Sequence, residues 1–227
     1  MTGACDAEGG ALTGFASPAL HDLEARFGIT LIGRDHSRLE EPETAADRAA
    51  AVWVRSTDTG FRRAAGASAP PVWLYDRFKW GPHDWPVRWR DVTRMPRHDC
   101  GLMAALSTEI YRFRGGRAFP VQLILRFNPQ SSNGWAGLWE GAGLTPHWCS
   151  EAFAYHEATA VLDVNNEAHV WDALGRFWLP IRSAASYEGV AAFRIVRDVA
   201  SDRPDPTVRS QRVEMNRWHL TEPQVQA

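Results

Sequence analysis

Three residues, met in the order Cys100, His156, Asp172, carry the most definite chemical suggestion in this chain. Cys100 stands in Asp99-Cys100-Gly101-Leu102, His156 in Ala154-Tyr155-His156-Glu157-Ala158, and Asp172 in Val170-Trp171-Asp172-Ala173-Leu174. A thiol, an imidazole and a carboxylate are the parts of a cysteine acyl-transfer site. The sulfur attacks an acyl carbon, the imidazole holds and returns its proton, and the carboxylate orients the imidazole. A lone cysteine is most often an inert buried residue. A cysteine in the first turn of a helix differs, because the dipole and the free backbone N–H groups lower a thiol pKa. Gly101, beside it, leaves room for a substrate. Cys149, close to His147, is the rival thiol and reads as a buried or partner-bonded residue.

The elements that must position these groups are legible to different degrees. Asp99 is a good N-cap. Leu102, Leu106 and Ile110, spaced four apart with Met103 and Phe113 beside them, predict a helix with one apolar face. Gly115-Gly116 ends it. A strand follows over 119–127, and two more over 153–163 and 168–172 form a hairpin around Asn165-Asn166. Parity then constrains the site. A two-residue turn would pair Asp172 with Thr159 and put His156 and Asp172 on opposite faces. The two can meet only if the loop holds an odd number of residues, 163–165 or 163–167, or if a bulge intervenes.

The rest of the chain is organised around that unit. Residues 1–16 are Gly/Ala-rich and expected to be disordered. Ser17-Pro18 starts a short helix over 18–27, and 29–32 reads as a strand. Residues 44–55 read as a helix with Ala50, Val52 and Trp53 available for packing. Residues 60–71 form a loop rich in Gly, Ala, Ser and Pro, which divides an N-terminal segment, 17–71, from a catalytic part, 72–200. Residues 72–97 are aromatic and punctuated by Pro, an irregular wrap with one or two short strands. Residues 128–146 are a long loop, 191–196 a last strand, and 201–227 an extended tail. Helices and strands in this order give an α+β protein.

Composition excludes several classes. The 227 residues, 44% of them hydrophobic, suffice for one sizeable core. A formal charge of −2 gives no strongly basic face, so nucleic acid is not an expected partner. Lys79 is the one lysine, and the arginines are spread along the chain. The 11 tryptophans suggest an aromatic-lined cleft or a Trp-rich core. Cys5, Cys100 and Cys149 are an odd count, which points to a reducing compartment with a free thiol. No signal peptide and no apolar run long enough for a bilayer are read, so a cytoplasmic location is expected, or export by a route without a cleaved signal.

The segments Tyr155-His156-Glu157-Ala158-Thr159-Ala160-Val161-Leu162-Asp163 and Val170-Trp171-Asp172-Ala173-Leu174-Gly175, following a cysteine at a helix start, resemble the transglutaminase-like branch of the papain-like cysteine enzymes. Within it they look closest to bacterial protein-glutamine glutaminases, in which a Cys-bearing helix precedes a Tyr-His-Val-Ala type strand and an Ile-Asp-Pro type strand. The resemblance covers residues 97–180. It implies a Cys-bearing helix packed on an antiparallel sheet, Cys100 as nucleophile, His156 as base and Asp172 as orienter. Asp172 is followed by Ala173 where Pro is usual, and residues 1–96 have no recognised counterpart. For the oxyanion hole the backbone N–H of Cys100 is the first candidate. A backbone N–H near Arg97 or the side chains of Gln122 and Trp148 are others, and Gly101 and Tyr155 are candidate substrate-side residues.

The expected activity is deamidation of glutamine side chains in a protein or peptide through a thioester. Transfer to an amine, amide formation and peptide cleavage are alternatives on the same residues. A non-catalytic binding module is the alternative of another class. A zinc site built from His147, Cys149, His156 and His169 matches no standard spacing, so no metal and no cofactor are expected.

Overall fold

The computed structural model describes residues 41–81, 87–127 and 153–179, the backbone of 187–196 and 209–212, and Ala25, Leu39, Gly137, Glu140 and Gly141. The expected disorder over 1–16 and the strand over 29–32 lie outside the described residues. Of the helix expected over 18–27, only Ala25 is described, and it is helical.

Helix α1 (Ala45–Ala65) begins at a reciprocal cap. Thr44 Oγ1 accepts from Asp47 N at 3.1 Å, and the Asp47 carboxylate accepts from Thr44 N at 3.0 Å. The helix runs ten residues past the expected end at 55. Its buried stripe is Asp47, Ala50, Val54 and Asp58, continued by the half-buried Phe61. That spacing of three and four carries helical geometry through Gly60. It also leaves Val52 exposed at 60%, against the expectation that it packs.

Asp58 is held from three sides. Arg114 Nε and Nη2 donate to its two oxygens at 2.9 and 2.6 Å, and Trp73 Nε1 donates at 3.1 Å. Residues of α1 therefore share one hydrophobic cluster with the helix that carries Cys100.

The wrap contains helix α2 (Trp73–Arg77), strand β1 (Lys79–Trp80), helix α3 (Trp89–Val92) and strand β2 (Arg97–His98), with β1 and β2 parallel. His98 is fully buried, shares a 3.1 Å hydrogen bond between Nε2 and Val92 O, and stacks on Phe78 at 3.7 Å. It fixes the chain one residue before Asp99. Helix α4 (Cys100–Phe113) follows and ends at Gly115, whose φ of 81° suits glycine. Residues 101–108, 110 and 111 of α4 are all buried, so it is a central helix and not one with a single apolar face. Burying Leu102, Leu106 and Ile110 stabilises the fold by about 2 kcal/mol each.

Strands β3 (Arg117–Phe127), β4 (Phe153–Leu162), β5 (Ala168–Asp172), β6 (Phe177–Leu179), β7 (Tyr187–Val196) and β8 (Arg209–Arg212) form one antiparallel sheet in the order β6-β5-β4-β3-β7-β8. The α+β class is thus realised as helices packed on an antiparallel sheet. Pro120 is tolerated in β3 because the ladder to β7 starts only at Gln122. Strand β7 starts earlier than expected, with an irregularity opposite Ile124/Leu125, and β8 pairs part of the expected tail with it. In the 128–146 segment Gly137 and Glu140 are helical, and Gly141 N donates to Gly137 O at 2.9 Å. Among the described residues no helix is long and apolar enough to cross a membrane.

Candidate active site

The site is assembled from the start of α4 and two neighbouring strands. Asp99 Oδ1 accepts from Leu102 N at 2.9 Å, so the cap fixes Cys100 as the first residue of the helix. Helix α4 lies against β3 and β4. Thr159 Oγ1 of β4 donates to Ala104 O at 2.9 Å, locking the helix against that strand.

Register then settles the parity question. Leu162 pairs with Ala168 and Thr159 with Trp171, so the β4–β5 loop is 163–167, five residues. This is one of the two odd lengths that the site requires. Asp163 Oδ1 accepts from Asn165 N and Glu167 N at 2.8 and 2.9 Å, and Asn166 takes a φ of 65°, which asparagine tolerates. In the same register Asp172 stands next to Ala158, and His156 lies two residues along on the same face.

His156 Nε2 and Asp172 Oδ2 are 3.0 Å apart. The other carboxylate oxygen, Oδ1, accepts from Leu174 N and Gly175 N at 2.9 and 3.0 Å. Asp172 is therefore both the turn former and the partner of the histidine, its side chain 2% exposed against 12% for His156. The Cys100 thiol lies close enough to the His156 ring for each to shift the other's titration. With Nε2 committed to Asp172, Nδ1 is the ring nitrogen left to receive a thiol proton.

Burial works against a charge on the His156 ring. The Asp172 carboxylate outweighs it, helped by hydrogen bonds to Asp172 and Cys100, and holds the imidazole well above its usual pKa. Burial pushes the Cys100 thiol up, the His156 hydrogen bond and charge pull it back, and the Asp99 and Glu157 carboxylates push it up again. Both shifts are upward, so each group holds its own proton more tightly than it would in water. Cys100 is partly exposed and is a free thiol.

The remaining candidates fall in different places. Gly101 is buried beside the carboxylates of Glu157 and Asp99. Tyr155 is buried and its hydroxyl donates to Glu157 Oε1 at 2.5 Å. Gln122 is buried on β3 directly opposite Glu157, on the alternate face of the sheet from His156. Trp148, His147 and Cys149 lie outside the described residues. His156 and His169, two of the four residues considered for zinc, stand in separate clusters. His169 Nε2 is 3.1 Å from Asp163 Oδ2 at the hairpin tip, where Glu167 is also within 4.8 Å.

Glu157 is the residue that the sequence reasoning missed. It is 3% exposed in the middle of a strand of small residues. A charged residue inside Ala154-Tyr155-His156-Glu157-Ala158-Thr159-Ala160 was the available signal, since an ionisable side chain is seldom buried without a role or a partner.

No family model, no curated protein and no solved structure matches this chain.

Proposed function

We propose that this chain is a cysteine amidohydrolase that deamidates glutamine side chains of a protein or peptide, on a core of the papain-like, transglutaminase-like kind. The observation that carries the reading is the His156–Asp172 pair, Nε2 to Oδ2 at 3.0 Å, with the Cys100 thiol close enough to the ring for each to shift the other's titration. A carboxylate turned onto one ring nitrogen fixes the tautomer whose other nitrogen can accept a thiol proton. The capped helix start supplies backbone N–H groups for the oxyanion that develops on the carboxamide.

The reaction follows from those parts. With the His156 ring in its neutral form, Cys100 Sγ forms a bond to the carboxamide carbon as its proton passes to His156. His156 returns that proton to the departing nitrogen, the C–N bond breaks, and ammonia leaves a thioester. His156 then takes a proton from water, whose oxygen attacks the thioester carbon. The C–S bond breaks, the product is a glutamate side chain, and Cys100 regains its proton.

A Gln-bearing peptide incubated with the protein should release ammonia, and Cys100→Ala should abolish the release while leaving the fold intact. Full ammonia release by that variant would remove the nucleophile assignment. A labelled primary amine in the same assay separates outcomes. Incorporation of label shifts the reading to acyl transfer, and a cut peptide backbone shifts it to proteolysis. Inertness of Cys100 to an alkylating probe even at alkaline pH, while Cys149 or Cys5 reacts and no substrate turns over, would favour a binding module.

A further inference from the structure

A second set of ionisable groups, Glu157 and Asp99, stands at the first turn of α4, beside the residue that follows the nucleophile. Glu157 Oε2 lies 3.2 Å, and Asp99 Oδ1 3.3 Å, from the point that a methyl group on Gly101 would occupy. Two carboxylates thus crowd one position in the first turn of α4, next to Cys100. Both are buried, Glu157 to 3% exposure and Asp99 to 6%. Each is also oriented. Tyr155 donates its hydroxyl to Glu157 Oε1 at 2.5 Å, and Leu102 N donates to Asp99 Oδ1 at 2.9 Å.

The positive end of a helix favours whatever anion sits there. Here two carboxylates already compete for it with a thiolate. Among the described residues, the ionisable groups that act on the Cys100 thiol are His156 and Glu157 from β4 and Asp99 from the cap, with Asp172 behind His156 and Tyr155 behind Glu157. A thiolate at Cys100 would add negative charge beside these buried acidic groups, with one imidazole to balance it.

Resting on the reading above, we propose that Glu157, with Asp99, is a positioning residue that keeps Cys100 a neutral thiol until an acyl donor is bound, so that its deprotonation accompanies attack, with His156 as base once the ring has given up its own proton. The nucleophile is then not a standing thiolate–imidazolium pair. Burial and both carboxylates act in this direction on the thiol. The consequence is selectivity. A neutral thiol is slow toward adventitious electrophiles and oxidants, and reacts where a carboxamide is already held against the helix start. The same carboxylates repel a carboxylate product, which favours release of the newly formed glutamate side chain.

The test follows alkylation of Cys100 in the full chain by iodoacetamide against pH, with the Cys100 peptide quantified by mass spectrometry. The wild-type midpoint should lie above that of an ordinary thiol. Glu157→Gln should lower it by about one pH unit, within the range for removing a nearby like charge. Asp99→Asn keeps a good N-cap residue and should also lower it, and the double variant should lower it further. Circular dichroism identifies a variant that has not folded, and if Glu157→Gln is one, Asp99→Asn decides. Midpoints unmoved or raised in the folded variants would overturn the proposal. A shift in Asp99→Asn with none in a folded Glu157→Gln would overturn the role of Glu157. No substrate is present, so an unmoved midpoint leaves the deamidase reading standing. Absent ammonia release with shifted midpoints removes that reading and leaves the electrostatic one.

Discussion

The Asp172 carboxylate divides its two oxygens between a turn and a histidine: Oδ1 takes the N–H groups of Leu174 and Gly175, and Oδ2 faces His156 Nε2 at 3.0 Å. That division makes Asp172→Asn a sharp experiment. The two backbone donors need an oxygen, so the new amide must turn its NH2 group toward His156. Nε2 then becomes an acceptor, the ring proton moves to Nδ1, and the imidazole can no longer receive the thiol proton. Ammonia release should fall by roughly 10²–10⁴-fold with the turn preserved, the size expected for a trapped tautomer. Thermal unfolding checks that the fold is unchanged. A variant with wild-type turnover would show that Asp172 is only a turn former.

The pH dependence of stability has a definite sign. Asp172 and Cys100 overcome burial and hold His156 well above its ordinary pKa in the folded chain. A group with a raised folded pKa stabilises fully below its unfolded value, about 6.5 for histidine, and loses that contribution as pH rises through the folded value. Cys100, also raised, adds a loss of the same sign at higher pH. Urea unfolding of the wild type and His156→Gln should therefore differ more at pH 6 than at pH 9.5. An equal gap at both values would contradict the His156–Asp172 ion pair.

The parts of the site that could be read in the sequence are those set by local rules. Asp99 and the four-residue spacing of Leu102, Leu106 and Ile110 define the start of α4, because caps and periodicity act within one or two turns. The hairpin was narrower than a guess, since a two-faced strand pair leaves only odd loops, and 163–167 is one of them. What stayed hidden depends on distant partners. Asp58 lies past the expected helix end at 55, yet it remains helical because Arg114, 56 residues later, and Trp73 hold its carboxylate. The significance of Glu157 is not legible in the sequence because it comes from Gly101 and Asp99, which the fold brings to it.

The Asp58–Arg114 pair fastens α1 to the end of α4 and has its own test. Both side chains are under 10% exposed, and the guanidinium meets both carboxylate oxygens while Nη1 donates to Ala69 O at 2.8 Å. Arg114→Ala leaves a buried carboxylate with only the Trp73 indole and should cost about 3–5 kcal/mol, as for other broken buried pairs. Replacing both partners by apolar residues of similar size, Asp58→Leu with Arg114→Met, should recover much of that loss. Denaturant unfolding of the single and double variants measures it. A single variant as stable as wild type would mean that the pair contributes no net stability.

Gly101→Ala probes the crowding at the nucleophile. The added methyl group would meet Glu157 Oε2 at 3.2 Å and Asp99 Oδ1 at 3.3 Å, so one of these side chains must yield by a few tenths of an ångström. Asp99 is fixed by its cap bond to Leu102 N, whereas Glu157 can move only by straining its bond to Tyr155. Alanine is the better helix former by about 1 kcal/mol, which offsets the strain and should leave the unfolding temperature within a few degrees of wild type. The rate should not be spared. Glu157 adjoins His156 on β4, and a displacement there alters the thiol–imidazole distance, for which a misplacement of about 1 Å costs on the order of 10²-fold. We expect ammonia release to fall by tens of fold in Gly101→Ala and to recover in Gly101→Ala with Glu157→Ala, where the methyl group has space. If the double variant stays as slow as the single one, the methyl group obstructs the substrate and not the carboxylate, and Gly101 belongs to the substrate side of the site.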